Sequence, residues 1–139
     1  MDASGFLAPH SESDAKSTYD DLGAPAQTVT KEIAKAMAFD RDEYRRRVTG
    51  DVVETARDAL FASLLEVTLG DRNEFEGWLD SHSSLDVHVE GHEHVERRAW
   101  HHAPALDAVA AVTFQNEPDA AVATVQRIAF GRFYRDLVV

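Results

Sequence analysis

Histidines are the residues of this chain whose type and clustering could support chemistry. Six of the seven lie between His82 and His102. Neutral imidazole is the commonest protein ligand of metal ions, and three or four imidazoles can surround Zn²⁺ at about 2.0–2.1 Å. A zinc site would draw its ligands from the histidines around one predicted turn and from one nearby, namely His88, His92, His94 and His102.

The spacing of these histidines favours a simpler interpretation. It matches no established metal-binding motif, and the chain has no HExxH run. We therefore interpret them as exposed histidines on a polar sheet face, paired with Glu90 and Glu96. On this interpretation we expect no cofactor, and Zn²⁺ is the alternative.

Catalytic motifs are missing from the sequence. There is no GxSxG run, no GxxxxGK[ST] loop and no GxGxxG. The chain has no cysteine, which excludes disulfides, thiolate metal sites and cysteine nucleophiles. His101 and Asp107 could form an acid–base pair, but both residue types are too common to identify an enzyme. We interpret the chain as non-enzymatic and assign no catalytic residue.

The last third of the chain predicts a strand, a turn, a second strand and a long helix. The strands span residues 95–102 and 109–115, and the second places Ala110, Val112 and Phe114 on one face. Apolar residues at three- and four-residue spacing predict a helix over 117–137. Glycine costs about 1 kcal/mol relative to alanine inside a helix, so we expect Gly131 to mark a close packing contact.

A hairpin is predicted between residues 85–90 and the strand at 95–102. It would place Glu90 opposite His94, His88 opposite Glu96, and Asp86 opposite Arg98, and such opposite-charge pairs stabilise a sheet by about 0.2–1 kcal/mol each. The resulting fold class is α+β, with an antiparallel sheet of three or four strands. The long C-terminal helix covers one face, and N-terminal helices pack beside it.

The N-terminal half predicts four helices, at about 11–22, 25–38, 41–48 and 51–65. Ser11 with Asp14, Asp40 with Glu43, and Thr49 are the predicted caps. The second helix has a predicted core stripe of Ala26, Val29, Ile33, Ala36 and Met37. One domain, 1–139, is expected, with residues 1–10 as a loose arm or a short edge strand.

A winged helix is an alternative interpretation of these elements. The helices at 25–38 and 51–65 would form the helix-turn-helix core, and residues 85–102 would form the wing. The exposed residues of the second helix are mainly Glu54, Arg57 and Asp58, which suits a DNA groove poorly.

Trp100 and Arg98 are candidate interaction residues. Both are predicted on the polar sheet face with His102. A tryptophan there often anchors a partner. The favoured alternative is that an N-terminal helix covers Trp100.

The charge balance indicates a salt-rich environment. The net charge is −11, and the chain has 25 acidic residues but only three lysines, Lys16, Lys31 and Lys35. Concentrated salt screens the self-repulsion of such a surface. The charge disfavours nucleic acid and anionic membranes as partners, and no apolar run is long enough to span a bilayer. We expect a cytoplasmic protein.

Several segments resemble a known family. The runs at 113–117, 120–124 and 129–136, together with those at 31–37 and 57–65, are similar to a small haloarchaeal family of uncharacterised proteins. The resemblance covers most of the chain after about residue 20. It implies a haloarchaeal, cytoplasmic source, and it carries no activity, cofactor or catalytic residue.

The sequence thus favours a non-enzymatic protein-interaction or regulatory module of a halophilic archaeal cytoplasm. A histidine-site metal-binding protein or small metal-dependent hydrolase, and a winged-helix-like DNA-binding regulator, remain open as alternatives. The expected partner is a protein of unknown identity, and self-association into a homo-oligomer also remains open.

Overall fold

The N-terminal half of the chain is helical. The computed structural model describes residues 1–139. Its first four helices are α1 (Glu12–Asp21), α2 (Gly23–Ala36), α3 (Arg41–Arg47) and α4 (Gly50–Leu64). The predicted caps of α1, α3 and α4 are confirmed, because the side chains of Ser11, Asp40 and Thr49 accept backbone N–H groups three residues on.

The chain also forms a five-stranded sheet, with one strand before these helices and four after them. Its strands are β1 (Asp2–Ser4), β2 (Val67–Asp71), β3 (Asp86–Glu90), β4 (Arg97–Ala103) and β5 (Ala108–Phe114), in the order β1-β2-β4-β5-β3. The α+β class is confirmed, and the first residues of the chain form a short edge strand. The expected antiparallel sheet of three or four strands is wrong in two respects, because the sheet has five strands and β3 pairs with β5 in parallel while the other neighbours are antiparallel.

The predicted hairpin between β3 and β4 does not form. Asp86 lies opposite Ala108 and Glu90 lies opposite Val112, so the predicted pairs with His94, Glu96 and Arg98 are also wrong. β5 is buried from Ala108 to Val112 and needs a neighbouring strand on each side. Burying one valine side chain stabilises the fold by about 1.5–3 kcal/mol, which is more than an exposed cross-strand charge pair contributes. Pairing of β3 with β5 is therefore favoured over the charge pairs of the predicted hairpin.

The two faces of the sheet are covered by different helices. On one face, Ala99, Ala110 and Val112 share a buried cluster with Phe61 of α4 and Val125 of helix α6 (Pro118–Ala129). On the other face, helix α5 (Arg72–Ser81) follows β2 directly. Its Phe75 packs with Trp100, Val109 and Ala111. Alternate residues of β4 therefore lie in two separate cores.

Trp100 is enclosed by α5 and is only 1% exposed. The ring centroids of Phe75 and Trp78 lie 5.0 and 6.1 Å from it. The predicted cover from an N-terminal helix is wrong, since α5 supplies it. The capping box of Asp71 and Glu74 starts α5 at the end of β2 and so turns the helix onto this face.

The C-terminal helical stretch is interrupted. After α6 come a π-helical segment (Phe130–Tyr134) and the short helix α7 (Arg135–Val138). The predicted packing contact at Gly131 is wrong, because a Cβ there would have no neighbour within 4 Å. None of the helices combines the length and the hydrophobicity that crossing a bilayer demands.

Candidate functional sites

The four candidate zinc ligands are spread over different parts of the sheet. His88 lies on the edge strand β3, and its Nε2 is 2.8 Å from Oε2 of Glu90. His92 and His94 lie in the loop after β3, with ring centroids 6.0 Å apart. His102 lies on β4 and contacts α5. Nowhere do three histidine, aspartate or glutamate side chains converge in a way that could hold a metal ion.

His102 belongs instead to an aromatic cluster at the C-terminal end of α5. The rings of Trp78 and His82 stack at 4.1 Å, and His102 meets both edge-on at 5.3 and 5.5 Å. Nδ1 of His82 lies 2.8 Å from the Trp78 carbonyl oxygen. Burial, together with the nearby His82, lowers the pKa of His102. The cluster closes this end of the second core.

His101 is a fully buried histidine with two hydrogen-bond partners. Its Nδ1 lies 2.7 Å from the carbonyl oxygen of Glu66, and its Nε2 lies 2.7 Å from the hydroxyl of Tyr134. A carbonyl only accepts, so Nδ1 carries the proton, and Nε2 accepts from Tyr134. Burial lowers the pKa of His101 to about 4, which keeps the ring neutral.

The acid–base pair of His101 with Asp107 that the sequence allows is not formed. The imidazole has no access to solvent and bonds to Glu66 and Tyr134, while Asp107 occupies the turn before β5 with a left-handed φ of 48°. Sequence reasoning missed Tyr134, which lies 33 residues from His101. No local pattern links residues that far apart.

Arg98 is a buried cation. It is 5% exposed, and it lines a groove of about 410 Å³ between α5, β3 and the loop after β3. Its terminal nitrogens donate to the carbonyls of Val95, Arg97 and Glu93. Desolvation, reinforced by the positive charge of Arg72, lowers its pKa from the ordinary arginine value. The sequence placed Arg98 on an exposed face, and the structure encloses it.

Helix α2 has an outward apolar stripe. Its buried residues are the small Ala26, Thr30 and Ala34, which let it lie close against its neighbours. The α2 stripe is defined by its three large exposed apolar residues, Val29, Ile33 and Met37, which are 37%, 55% and 59% exposed. The predicted inward stripe is thus correct at Ala26 and wrong at these three positions and at Ala36, which is also exposed.

The only dense basic run of the chain follows this stripe in sequence. Segment 29–48, which spans most of α2 and all of α3, has six basic and four acidic residues. The rest of the chain has eight basic and 21 acidic residues. On α3, Arg45, Arg46 and Arg47 are exposed, and the Arg47 guanidinium lies 5.3 Å from the Phe39 ring centroid.

A winged-helix arrangement is not formed. The wing of that fold is a hairpin, and β3 and β4 are not paired with each other. On α4, Arg57 is committed to α1, because its Nε donates to the Tyr19 carbonyl at 2.7 Å and its guanidinium lies over the Tyr19 ring. The Tyr19 hydroxyl donates to Asp58 at 2.5 Å. These contacts fix α1 on α4, so the Arg57 guanidinium is not free to contact a DNA groove.

Comparison with family models gives one match. The model of a family of unknown function, DUF5809, matches residues 6–135, which is nearly the whole chain. The chain belongs to this family. No curated protein and no solved structure matches it.

For this DUF5809 chain, two features therefore stand out from the candidates. One is the exposed α2 stripe, which lies within the basic segment 29–48, and the other is the buried Arg98, which lines a groove. Both features are suited to binding, and neither contains a metal ligand set or a nucleophile.

Proposed function

We propose that this chain is a non-enzymatic protein-interaction module and that the α2 stripe is its binding surface. The observation that carries the proposal is the exposure of Val29, Ile33 and Met37 at four-residue spacing on one helix. Isolated exposed apolar residues are ordinary, but a contiguous row on one helix is typical of a binding surface. A partner helix with apolar residues at the same spacing would fit such a row.

Charge selects the class of partner. Segment 29–48 has a surplus of basic residues in a chain whose remainder is strongly acidic. Complementary charge steers association and suppresses wrong partners. The partner we propose is therefore an acidic amphipathic helix, which sets its apolar face on the α2 stripe and its carboxylates near Arg41, Arg45 and Arg46.

The same charges argue against pairing of two α2 stripes. A two-fold symmetric contact brings the same patch of both copies together. It would place one basic segment against another. A different chain with acidic flanks satisfies both the apolar and the electrostatic requirement.

The proposal places this module in a halophilic archaeal cytoplasm. Support comes from the surplus of 25 acidic residues over 14 basic ones and from the low number of lysines. In concentrated salt the Debye length falls to about 3 Å at 1 M, so charge steering is weak there. Under those conditions the apolar stripe supplies the affinity and the charges supply the discrimination.

Photo-crosslinking in the source cells tests the proposal. A photoreactive amino acid replaces Ile33, which is exposed and therefore tolerates the change. The expected product joins position 33 to an acidic segment with helical apolar spacing in another protein, as identified by mass spectrometry. The matched control carries the same photoreactive residue at Val87, which is 43% exposed on the edge strand.

Three outcomes decide the test. Crosslinks at position 33 to an acidic amphipathic segment, absent at position 87, support the proposal. Crosslinks between two copies of this chain at position 33 would replace it with self-association. Equal products from positions 33 and 87, or none at position 33, would remove the α2 stripe as a binding surface.

A further inference from the structure

Arg98 is a buried positive charge that forms no ion pair, although Glu96 and Glu76 lie near enough to favour its charged form in part. None of the ion pairs of the molecule includes it. The chain has 25 carboxylate side chains against 14 basic ones, and neighbouring Arg72 is paired with Glu76 at 3.3 Å. Burial of an unpaired charge is costly, so buried cations normally have a counter-ion. The missing counter-ion is what requires explanation.

The guanidinium has hydrogen-bonding capacity left over. Of its five N–H groups, those on Nη1 and Nη2 make the three bonds to backbone carbonyls. Nε donates to none of these carbonyls, and Nη2 uses one of its two hydrogens. Two neighbouring N–H donors of a guanidinium match the two oxygens of a carboxylate.

The groove that contains Arg98 has apolar walls. Phe75 and Leu79 of α5 and Val89 of β3 line it. Its volume of about 410 Å³ lies in the range of small-molecule sites. Such walls can contact the apolar part of a small ligand, and Arg98 lines the same groove, where it can contact a charged group of that ligand.

The other charges of the groove limit the ligand to one negative charge. Arg72 is already neutralised by Glu76. The Glu93 side chain is 78% exposed and lies 3.8 Å from His94. A dianionic phosphate would be repelled by these two glutamates with only Arg98 unpaired, whereas a monocarboxylate adds a single negative charge opposite that single positive charge.

The loop that forms one wall is held in place. The His92 N–H donates to Oγ1 of Thr113 at 3.0 Å. Gly91 has a φ of 121°, and a Cβ at this position would overlap the Thr113 side chain. The loop carbonyl of Glu93 that binds Arg98 is therefore fixed relative to β5, so the groove is formed before a ligand enters.

We infer that this groove binds a small monocarboxylate with an apolar body, whose carboxylate pairs with the Arg98 guanidinium. The carboxylate could belong to a free acid or to the C-terminus of a short peptide, because both present the same group. The groove shares no residue with the α2 stripe, so this inference does not depend on the proposed interaction surface.

Titrations followed by amide and arginine Nε–H NMR signals test the inference. The probes are hexanoate and hexanamide, which have equal length and differ in charge, and an acetylated alanyl-alanyl-leucine with a free or an amidated C-terminus. We expect hexanoate to shift the signals of Phe75, Leu79 and the Arg98 Nε–H in a saturable way. Hexanamide should bind at least about tenfold more weakly.

The tripeptide arm identifies the source of the carboxylate. Tighter binding of the free-acid tripeptide than of hexanoate indicates a peptide C-terminus, and the reverse indicates a free acid. Both results support the carboxylate site. Equal shifts with the acid and amide forms of either probe would overturn it.

Two variants and one control locate the site. Arg98→Gln removes the positive charge. Val89→Phe fills the groove and keeps that charge, so it tests the site even if Arg98→Gln does not fold. Both should weaken hexanoate binding by at least about tenfold. Arg97→Gln is the control, because Arg97 is exposed and lies over Phe114, 4.8 Å from its ring centroid. Unchanged binding in Val89→Phe, or no saturable shift with the original chain at millimolar hexanoate, would refute the inference.

Discussion

The hydroxyl oxygen of Tyr134 lies 2.7 Å from Nε2 of His101, and this contact joins the π-helical segment to the central strand β4. The hydroxyl donates to the imidazole, whose other nitrogen donates to the Glu66 carbonyl. Tyr134 is fully buried, and its ring also meets Phe61 at 5.5 Å. A neutral histidine thus links β4 to the residue before β2 and to the C-terminal helical stretch.

This bridge predicts a loss of stability in acid. The pKa of His101 is lowered to about 4 in the folded chain, against about 6.5 when unfolded. The unfolded chain binds the extra proton between these values, so the contribution is complete above about pH 6.5 and is lost as the pH falls toward 4. The loss is at most about 3 kcal/mol.

The measurement is the free energy of unfolding in urea across this pH range, for the original chain and for His101→Gln. The variant should show a shallower fall in stability toward low pH. His102 also has a lowered pKa, and it is present in both proteins, so its effect cancels. Parallel pH profiles would contradict the assigned protonation state of His101.

Removal of the Tyr134 hydroxyl tests the same bridge from its other side. Tyr134→Phe leaves Nε2 of buried His101 without a donor, and we expect a cost of about 1–3 kcal/mol in the free energy of unfolding. The control is Tyr44→Phe, since Tyr44 is half-buried on α3 and should change stability by less than about 0.5 kcal/mol. Equal small effects of both changes would show that the hydrogen bond contributes little.

Two glycines of the α5 face should respond in opposite directions to alanine. Gly91 has a φ of 121° and presses on Thr113, so Gly91→Ala should destabilise the chain by about 1–3 kcal/mol. Gly77 lies inside α5 with nothing within 4 Å, so Gly77→Ala should stabilise it by about 0.4–1 kcal/mol. Thermal denaturation compares the two. A neutral Gly91→Ala would mean that the loop after β3 is free to move.

Salt should stabilise the fold. With a net charge of −11, the chain repels itself most at low ionic strength, where the Debye length is about 30 Å at 0.01 M. We expect the Tm to rise steadily from low to molar KCl. A Tm that stays flat or falls would remove the argument for a halophilic source.

Local signals predicted much of this fold. The caps at Ser11, Asp40 and Thr49 depend on neighbouring residues, and the structure has all three. The alternation of Ala110 and Val112 predicted one face of β5, and both lie in the same core cluster. Such signals depend on the period of the chain and on contacts three or four residues away.

Pairing and packing could not be predicted in this way. The partner of β3 depends on the burial of β5 on both faces. The residues near β3 in the sequence do not reveal that burial. Sequence patterns predict a polar face for Arg98 and Trp100 and an N-terminal helix as the cover of Trp100, because they do not show where α5 packs. On α2, the packing of Ala26, Thr30 and Ala34 reversed the expected direction of the larger apolar residues. Small residues allow close helix contact, which hydrophobicity alone does not reveal.

Binding of a defined peptide tests the proposed interaction surface most directly. The probe is a helical peptide with an apolar stripe at four-residue spacing and glutamates on its flanks, and its control has lysines in their place. We expect NMR shifts confined to residues 29–48 with the acidic peptide, weak shifts with the basic peptide, and loss of the shifts in Ile33→Ser. Shifts spread over other faces, equal binding of both peptides, or full binding by Ile33→Ser would contradict the α2 stripe as the binding surface.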